Sequence, residues 1–277
     1  MHRNEARAMG DKTCASAPPS GLLLLEKPPG PSSFALVRDA RRRFGAKAGH
    51  AGTLDPFASG LLLVVLGRAT RLARYLVGLD KRYLTEVRLG VRTSTGDPEG
   101  EPVEETDPPG RADVEALVGE IELPVPRASA IKVGGERAYR LHRRGVAVEM
   151  PLRRSTIHGL EIIRWEPPTV VVDLHVSSGT YVRAIAEALG GHCRTLRRTA
   201  VGPYLLDEAD PDRVLPPIEA TRHLPRRELT TAEGGAIVAG RAIPGSEAGE
   251  VALVHRTVLV AVARGDGRRL RPETVLV

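Results

Sequence analysis

The stretch Gly49-His50-Ala51-Gly52-Thr53-Leu54-Asp55-Pro56 is predicted to be a loop that leads into a buried strand. Its two glycines reach backbone angles that other residues avoid, and Pro56 pushes Asp55 toward an extended conformation. An apolar run of strand length, residues 61–66, follows and ends at Gly67. The pattern therefore holds one carboxylate on a stiffened loop, where it serves either a reaction or an Asx-type turn.

The composition is that of a globular protein with one large domain and a small one. Of the 277 residues, 42% are hydrophobic and 27% are charged, and no apolar run approaches the roughly 20 residues needed to cross a bilayer. Residues 1–20 lack the apolar segment of a secretory signal and are predicted to form a disordered extension. Cys14 and Cys193 stand far apart, so a reducing cytoplasm is the expected setting.

The charge favours a polyanionic partner. Lysine and arginine total 40 against 34 acidic residues, a net charge of +6, and only five of the 40 are lysines. Because the guanidinium fork matches phosphate oxygens, an arginine-rich basic chain is a candidate for binding nucleic acid. A coding bias that replaces lysine with arginine explains the same composition, and both readings stay open.

The first half of the chain predicts a helix and a strand around the loop. Ser32 or Ser33 caps a helix that ends at Phe44, before Gly45. One side of this helix is basic, with Arg38, Arg41, Arg42 and Arg43. Such a face is usually solvated surface, but this one leads directly to the Asp55 loop. Residues 81–89 alternate as a half-buried strand does, with one face formed by Tyr83, Thr85, Val87 and Leu89.

The rest of the chain mixes hairpins with helices, which favours an α+β fold with a largely antiparallel sheet. The predicted elements are an exposed connection over 97–110, a strand over 129–133, a basic helix over 136–144, a hairpin of 155–165 with 169–176, a helix over 181–189 and an extended segment over 194–201. A proline-rich linker over 211–224 then separates a catalytic domain, 21–210, from a small β-rich module, 225–277.

Six motifs that occur in order between residues 21 and 204 closely resemble those of the TruB-type tRNA pseudouridine synthases. Any one of them could arise by chance, whereas six in order at suitable spacing could not. They are the Gly49 to Pro56 loop with Ala58-Ser59-Gly60-Leu61, Lys27-Pro28, Lys81-Arg82-Tyr83, Ser129-Ala130-Ile131-Lys132-Val133 with Arg137-Ala138-Tyr139, Ser178-Gly179-Thr180-Tyr181-Val182-Arg183, and Leu196-Arg197-Arg198-Thr199.

The resemblance implies a pseudouridine synthase fold, with a central, largely antiparallel mixed sheet flanked by helices. It implies isomerisation of the T-loop uridine, position 55 in tRNA numbering, by base flipping. The substrate would be the tRNA T stem-loop, and a tRNA-folding role could accompany catalysis. No membrane, no obligatory protein partner and a monomer are expected. No metal or cofactor is expected either, since the sequence shows neither clustered ligand residues nor a Walker-type loop.

The resemblance also assigns roles to individual residues. Asp55 corresponds to the catalytic aspartate, Arg183 to the arginine that pairs with it, and Tyr83 to the tyrosine that packs on the target base. The remaining positions correspond to a lysine at the edge of the site and to substrate-contacting residues; they are Lys27, His50, Tyr181 and Leu196.

Two further regions are expected to meet RNA. Residues 124–150 resemble the family's mobile insertion, whose arginines would bind phosphates; they are Arg137, Arg140, Arg143 and Arg144. The C-terminal module resembles a PUA-like RNA-binding domain, with a plain stabilising β domain as the alternative.

The chemistry accounts for these residue types. Pseudouridine forms when the N1–C1′ bond of a uridine breaks, the base turns, and C5 joins C1′. A carboxylate can act as nucleophile at C1′ or at C6, or as a base toward the sugar, and all three routes stay open. A neighbouring guanidinium favours the ionised carboxylate, and a flipped base needs an aromatic or apolar surface to receive it.

Two departures and two alternatives remain. The chain lacks about seven residues that relatives carry between Gly190 and His192, which bears on the pose of Leu196, and Glu26 stands where an aspartate is common. The alternatives are an RNA-guided relative that modifies ribosomal RNA with partner proteins, and a non-catalytic tRNA-binding folding factor. The short C-terminal region and residues 92–97 favour the stand-alone bacterial form.

Overall fold

The computed structural model describes residues 18–277; the rest of the predicted N-terminal extension, with Cys14, lies outside the described residues. Within this range the strands are β1 (Gly21–Lys27), β2 (Ala48–His50), β3 (Ser59–Leu66), β4 (Lys81–Leu89), β5 (Val91–Thr93), β6 (Pro102–Glu105), β7 (Gly119–Pro124), β8 (Lys132–Val133), β9 (Glu136–Arg137), β10 (Leu152–Glu166), β11 (Thr169–Val176), β12 (Gly191–Val201), β13 (Tyr204–Leu205), β14 (Val214–Leu215), β15 (Arg226–Glu228), β16 (Ile243–Pro244), β17 (Ala248–His255), β18 (Val258–Asp266) and β19 (Arg269–Val275). The α-helices are α1 (Ser33–Phe44), α2 (Ala73–Val77), α3 (Arg111–Glu115), α4 (Ala138–Arg143), α5 (Val182–Ala188) and α6 (Thr231–Val238), and the 3-10 helices are Gly67–Leu72, Leu206–Glu208 and Pro217–Thr221.

A large sheet forms the centre of the molecule, with strand order β14-β1-β3-β12-β4-β11-β10-β7 and with β2 and β13 added on β3 and β12. Its pairs are antiparallel except for β12 with β3. Helix α1 packs beside β2 and β3, and α5 packs on β12, β4 and β7. The predicted α+β class, with a largely antiparallel mixed sheet flanked by helices, is confirmed.

The sequence alternation of β4 determines which of its faces is buried. Tyr83, Thr85, Val87 and Leu89 all point into an apolar cluster with β11 and α5, as the period of two predicts. The hairpin of β10 and β11 and the helix after Ser177-Ser178-Gly179-Thr180 also form as predicted.

The two central strands meet at a glycine. Gly60, with φ of +105°, lies against the backbone of Arg198, and a Cβ there would stand 2.2 Å from the Arg198 carbonyl oxygen. Only glycine fits this conformation and this space. The close approach carries β12 beside the start of β3, immediately after the Asp55 loop.

Several predicted elements differ in extent. Between β3 and β4 the chain forms a 3-10 helix, Gly67–Leu72, followed by the short α2. The predicted strand over 129–133 is reduced to β8, and β9 takes the first residues of the predicted basic helix. The reason is Gly134-Gly135, where both residues have positive φ and close a two-residue hairpin turn.

The predicted linker, residues 211–224, packs on both sheets. Its strand β14 adds to the edge of the large sheet beside β1, and its 3-10 helix buries Ala220 and Thr221 completely. It therefore connects the two sheets without being a free tether.

The C-terminal module is the five-stranded sheet β15-β17-β18-β19-β16 with α6 against it. Its core continues into that of the large sheet, since Leu259, Val262 and Leu276 share one cluster with Leu22 and Leu61. None of the helices in residues 18–277 has both the length and the apolar character required to span a membrane.

Candidate active site

A cavity of about 800 Å³ opens on one side of the large sheet, at the Asp55 loop. Its walls come from several separate stretches of the chain that the fold brings together. They include the Asp55 loop Gly52 to Pro56, strand β4 with Tyr83, the segment Ser94 to Glu101, the insertion with Ala128 to Ala130 and α4, the residues Ser178 to Arg183, and Leu196 and Arg198 on β12.

Asp55 is held at the floor of this cavity by Arg183. The Arg183 guanidinium is only 2% exposed, and its Nε donates to Asp55 Oδ2 at 2.9 Å. Its two terminal nitrogens donate to the carbonyl oxygens of Thr95 and Ala128, at 2.6 and 3.1 Å. A buried cation fixed at three points sets the position of the carboxylate.

A second carboxylate, Asp97, completes the surroundings of Arg183. Asp97 Oδ2 lies 3.5 Å from Arg183 Nη1, while its Oδ1 accepts from the Thr95 hydroxyl and from the amide of Glu99. Asp97 is buried, so the prediction that residues 97–110 form an exposed connection is wrong at its first residue. The guanidinium therefore lies between two carboxylates, and both Asp55 and Asp97 line the cavity.

Two buried cations donate hydrogen bonds to the backbone in and next to the Asp55 loop. Lys27 is fully buried, and its Nζ donates to the carbonyl oxygens of Pro28, Pro56 and Ala58 at 2.9, 2.9 and 2.6 Å. Burial lowers the pKa of Lys27 to about 8, although the charges of Asp55 and Glu99 oppose the shift. The Lys27 ammonium therefore faces the loop backbone rather than the cavity.

Arg198 is the second of these cations. Its Nε donates to the Leu61 carbonyl at 2.8 Å and its Nη2 to the Gly52 carbonyl at 3.1 Å. Arg198 therefore joins the loop to the beginning of strand β3. On the other side, the Ser33 hydroxyl accepts from the Leu54 amide at 2.8 Å. Together these contacts leave the Asp55 backbone little freedom.

The walls beside Asp55 are aromatic and apolar. Tyr83 and Leu196 lie on the adjacent strands β4 and β12 and both face the cavity. Tyr181 precedes α5 and also lines the cavity, and its pKa is raised chiefly by burial. The connection before Leu196 is tight: Gly190 adopts φ of +69° and β12 begins at the next residue.

A buried lysine links the segment before Tyr181 to the end of helix α2. Lys81 Nζ donates to the Val77 carbonyl at 2.7 Å and to the Ser178 hydroxyl at 3.0 Å. Burial and the charge of Arg198 lower the pKa of Lys81 to about 8. Gly179 adopts φ of +80°, a conformation that favours glycine, and the Arg153 side chain lies over it.

The remaining predicted site residues do not line the cavity. His50 is half-buried in β2, its Nδ1 has no hydrogen-bond partner among the described residues, and burial and Arg198 lower its pKa. In the insertion, Arg137 contacts the Ala130 carbonyl, Arg140 lies beside the Tyr139 ring, and Arg144 pairs with Glu136 at 2.7 Å.

Of the four arginines predicted in the insertion, Arg143 lines the cavity, together with Tyr139 and His142. Tyr139, His142 and Arg143 occupy positions i, i+3 and i+4 of the α4 region and form one wall. The sequence reasoning did not assign Asp97, Lys81, Arg198, Tyr139 or His142. All five stand inside motifs that it quoted or beside them, but residue type alone did not separate them from their neighbours.

Comparison with known proteins agrees with this geometry. Residues 41–182 match the TruB family pseudouridylate synthase N-terminal domain. The chain is 41% identical to tRNA pseudouridine synthase B of Aromatoleum aromaticum, over 89% of each chain. It is 38% identical to the protein of the same name from Thiobacillus denitrificans, over 92% of this chain and 95% of that one.

Solved structures share the fold. A Cbf5–Nop10–Gar1 complex contains a chain that superposes with a TM-score of 0.70 at 25% identity, over 93% of this chain and 85% of that one. An H/ACA RNP bound to a substrate RNA superposes with a TM-score of 0.69 at 22% identity, over the same shares of the two chains. With a family match over half of its length and relatives near 40% identity over most of it, the chain belongs to the TruB family of pseudouridylate synthases.

Proposed function

We propose that this chain converts the T-loop uridine of tRNA, position 55 in tRNA numbering, into pseudouridine. The observation that carries the proposal is the Asp55–Arg183 pair at the floor of a cavity of about 800 Å³. That volume is in the range of pockets that enclose a small ligand, and a flipped nucleotide is of this size. The relatives named tRNA pseudouridine synthase B, which match about nine tenths of the chain, support tRNA as the substrate.

The site residues divide the work of the reaction. Tyr83 and Leu196 receive the two faces of the flipped uracil, while Asp55 stands where the glycosidic bond must break. The C5 proton is released and N1 gains a proton, so the change is an isomerisation with no redox step. Each of the three routes open to Asp55 needs its carboxylate in a fixed position, and Arg183 holds it there.

The basic groups beyond the floor serve RNA binding. Tyr139, His142 and Arg143 of the insertion lie across the cavity from the catalytic loop, so closure of residues 124–150 over the RNA would bring an arginine and an aromatic ring to it. The C-terminal module, 225–277, is proposed to be a PUA-like RNA-binding domain. Its rigid attachment, with the Tyr75 hydroxyl 2.9 Å from Thr274 Oγ1, would keep a second RNA contact at a fixed distance.

The alternatives are less well supported. The RNA-guided form is represented by the chain of the Cbf5–Nop10–Gar1 complex at 25% identity, against 38% to 45% for the tRNA pseudouridine synthase B relatives. A purely non-catalytic folding factor would not require a carboxylate held by a buried guanidinium. A tRNA-folding role beside catalysis remains part of the proposal and does not depend on Asp55.

The test is tritium release from tRNA that carries [5-³H]uridine, measured in single-turnover mode in EDTA and without added nucleotide. The wild-type chain should release one tritium per tRNA, and Asp55→Asn should release none while binding tRNA with wild-type affinity, since the side chain is nearly isosteric and affinity comes from basic groups and shape. Asp107→Asn, an exposed carboxylate, is the matched control. Tritium release by Asp55→Asn within tenfold of wild type would remove Asp55 from its role.

A further inference from the structure

The N-terminal turn of α1 exposes an aromatic ring beside the catalytic loop. Phe34 is 68% exposed, the largest such fraction among the large hydrophobic side chains of the described residues. Its neighbour Ser33 both donates to and accepts from the Leu54 backbone, and Ser32 lines the cavity. The exposed ring is therefore two residues from the cavity wall and is attached to the loop that carries Asp55.

Two arginines extend this exposed surface along the helix. Arg38 and Arg41 follow Phe34 by four and seven positions, so all three side chains lie on one face of α1. The stripe from Phe34 to Arg41 is about 10 Å long, at about 1.5 Å of rise per residue. Both arginines are exposed, and among the described residues no carboxylate lies within salt-bridge distance of either.

The neighbouring arginines of the same helix are different. Arg42 pairs with Asp39, and Arg43 pairs with Asp212 and also donates to the Pro211 carbonyl. The basic face of α1 therefore separates into two paired arginines and two that have no carboxylate partner in the part of the chain that the structure describes, and only the latter two are aligned with Phe34.

We propose that the stripe formed by Phe34, Arg38 and Arg41 is a second RNA-contact surface, which binds the strand of substrate RNA that leads away from the Asp55 cavity. In this arrangement Phe34 stacks on an unpaired base at the cavity mouth, and the two arginines bind the phosphates that follow. The inference rests on the proposed function, because it takes the occupant of the cavity to be a nucleotide of a longer RNA.

The chemistry of the stripe favours RNA over another protein surface. A single exposed ring among unpaired guanidinium groups is the combination that holds single-stranded nucleic acid, since bases stack on the ring and phosphates neutralise the cations. An apolar protein partner would require further apolar neighbours around Phe34. The exposed positions that follow Phe34 on this face of α1 are instead charged.

The experiment measures equilibrium binding of a fluorescent T-arm RNA, and of full-length tRNA, over a series of salt concentrations. Phe34→Ala should weaken binding at least fivefold without changing the salt slope, because a stacking contact is uncharged. The double variant Arg38→Gln/Arg41→Gln should weaken binding and reduce the slope of log Kd against log salt by about 1.5, for two lost phosphate contacts.

The matched control is the double variant Arg42→Gln/Arg43→Gln, which removes the same charge from the same helix but only from paired side chains. It should retain wild-type affinity to within about twofold, and all variants should retain the wild-type Tm because the side chains are exposed. Tritium release at limiting tRNA should fall in step with the loss of affinity in the stripe variants, since they act on binding.

Two kinds of result separate the inference from the proposed function. If the wild-type chain releases no tritium from tRNA, the proposed function fails. If wild type is active but either stripe variant keeps wild-type affinity, or the paired-arginine control loses as much, the second contact surface is overturned. It is also overturned if the stripe variants leave RNA binding unchanged and instead abolish self-association in sedimentation, which would make the stripe a contact between two copies.

Discussion

Arg183 Nε donates to Asp55 Oδ2 at 2.9 Å across 128 positions of sequence. The contact joins the first turn of α5 to the loop before β3, so it forms only when β12 and β4 bring those elements to one end of the sheet. Because the same guanidinium also holds the carbonyls of Thr95 and Ala128, this one side chain couples the catalytic loop, the Ser94 segment and the base of the insertion.

Replacing Arg183 should reduce the rate more than it reduces affinity. Arg183→Met leaves Asp55 without its partner, and we expect single-turnover tritium release to fall at least about 100-fold, as a misplacement of about 1 Å can produce. Arg183→Lys keeps the charge but loses the planar fork whose three nitrogens reach three separate acceptors, so we expect an intermediate loss. Circular dichroism and Tm would verify that both variants fold. Turnover by Arg183→Met within tenfold of wild type would show that the pair is dispensable.

Asp97 should act on the rate through Arg183. In Asp97→Asn the amide oxygen still accepts from the Thr95 hydroxyl and the Glu99 amide, but the negative charge beside the Arg183 guanidinium is lost. Charge-assisted hydrogen bonds exceed neutral ones by about 1 kcal/mol, so we expect a rate loss of about tenfold with tRNA affinity unchanged. The exposed Asp107→Asn serves as the control, and an equal effect of the two substitutions would contradict the assignment.

Lys27 should make stability depend on pH in the alkaline range. The folded state gives up this proton near pH 8, because the pKa of Lys27 is lowered from 10.5 to about 8 by burial. Between pH 8 and 10.5 the unfolded chain therefore binds more protons, and raising the pH stabilises the fold relative to its state at pH 7. Denaturant unfolding should show that the stability of wild type relative to Lys27→Met increases over this range.

The exposed Lys47→Met is the control for that titration, and its stability difference from wild type should stay constant with pH. A wild-type minus Lys27→Met difference that is flat from pH 7.5 to 10 would contradict a lowered pKa of Lys27. At pH 7 we also expect Lys27→Met to have a lower tritium-release rate, since three loop carbonyls lose their common donor.

Two adjacent arginines of the insertion should differ in their effect on RNA binding. Arg143 lines the cavity, whereas Arg144 pairs with Glu136 at 2.7 Å on the exposed side. Arg143→Gln should weaken tRNA binding three- to tenfold and reduce the salt slope by about 0.7 to 0.9, as expected for one phosphate contact. Arg144→Gln should change affinity less than twofold, because an exposed ion pair contributes little. The reverse order of effects would contradict the observed register of α4.

The local patterns of the sequence were sufficient for the elements around the catalytic loop. Ser32 caps α1 through its hydroxyl, and Gly45 ends the helix in the left-handed region, as the cap chemistry predicts. The alternation of β4 predicted Tyr83 on the buried face, and the apolar run after Asp55 predicted a buried strand. These features depend on residues close in sequence, so periodicity and turn chemistry determine them.

The insertion shows where local patterns stop being informative. The sequence predicts a basic segment and names Arg137, Arg140, Arg143 and Arg144 as contacts, but it cannot say which of them lie on the side of α4 that faces the cavity. That depends on the Gly134-Gly135 turn and on hydrogen bonds such as the one from the Tyr139 amide to the Ser129 carbonyl, at 3.0 Å. The rotation that follows leaves Arg143 and His142 facing inward.

The sequence by itself determined the position of Asp55 on a rigid loop, the α+β class and, through ordered motifs, the family. Only the tertiary structure decided what surrounds that carboxylate. The sequence analysis placed Lys27 at the edge of the site and Asp97 in an exposed connection, yet Lys27 is fully buried under the loop and Asp97 is buried beside Arg183. A charged side chain is buried only where residues distant in sequence supply its hydrogen-bond or ion-pair partners, because an isolated charge would remain in water. No sequence pattern near Lys27 or Asp97 shows which residues those partners are.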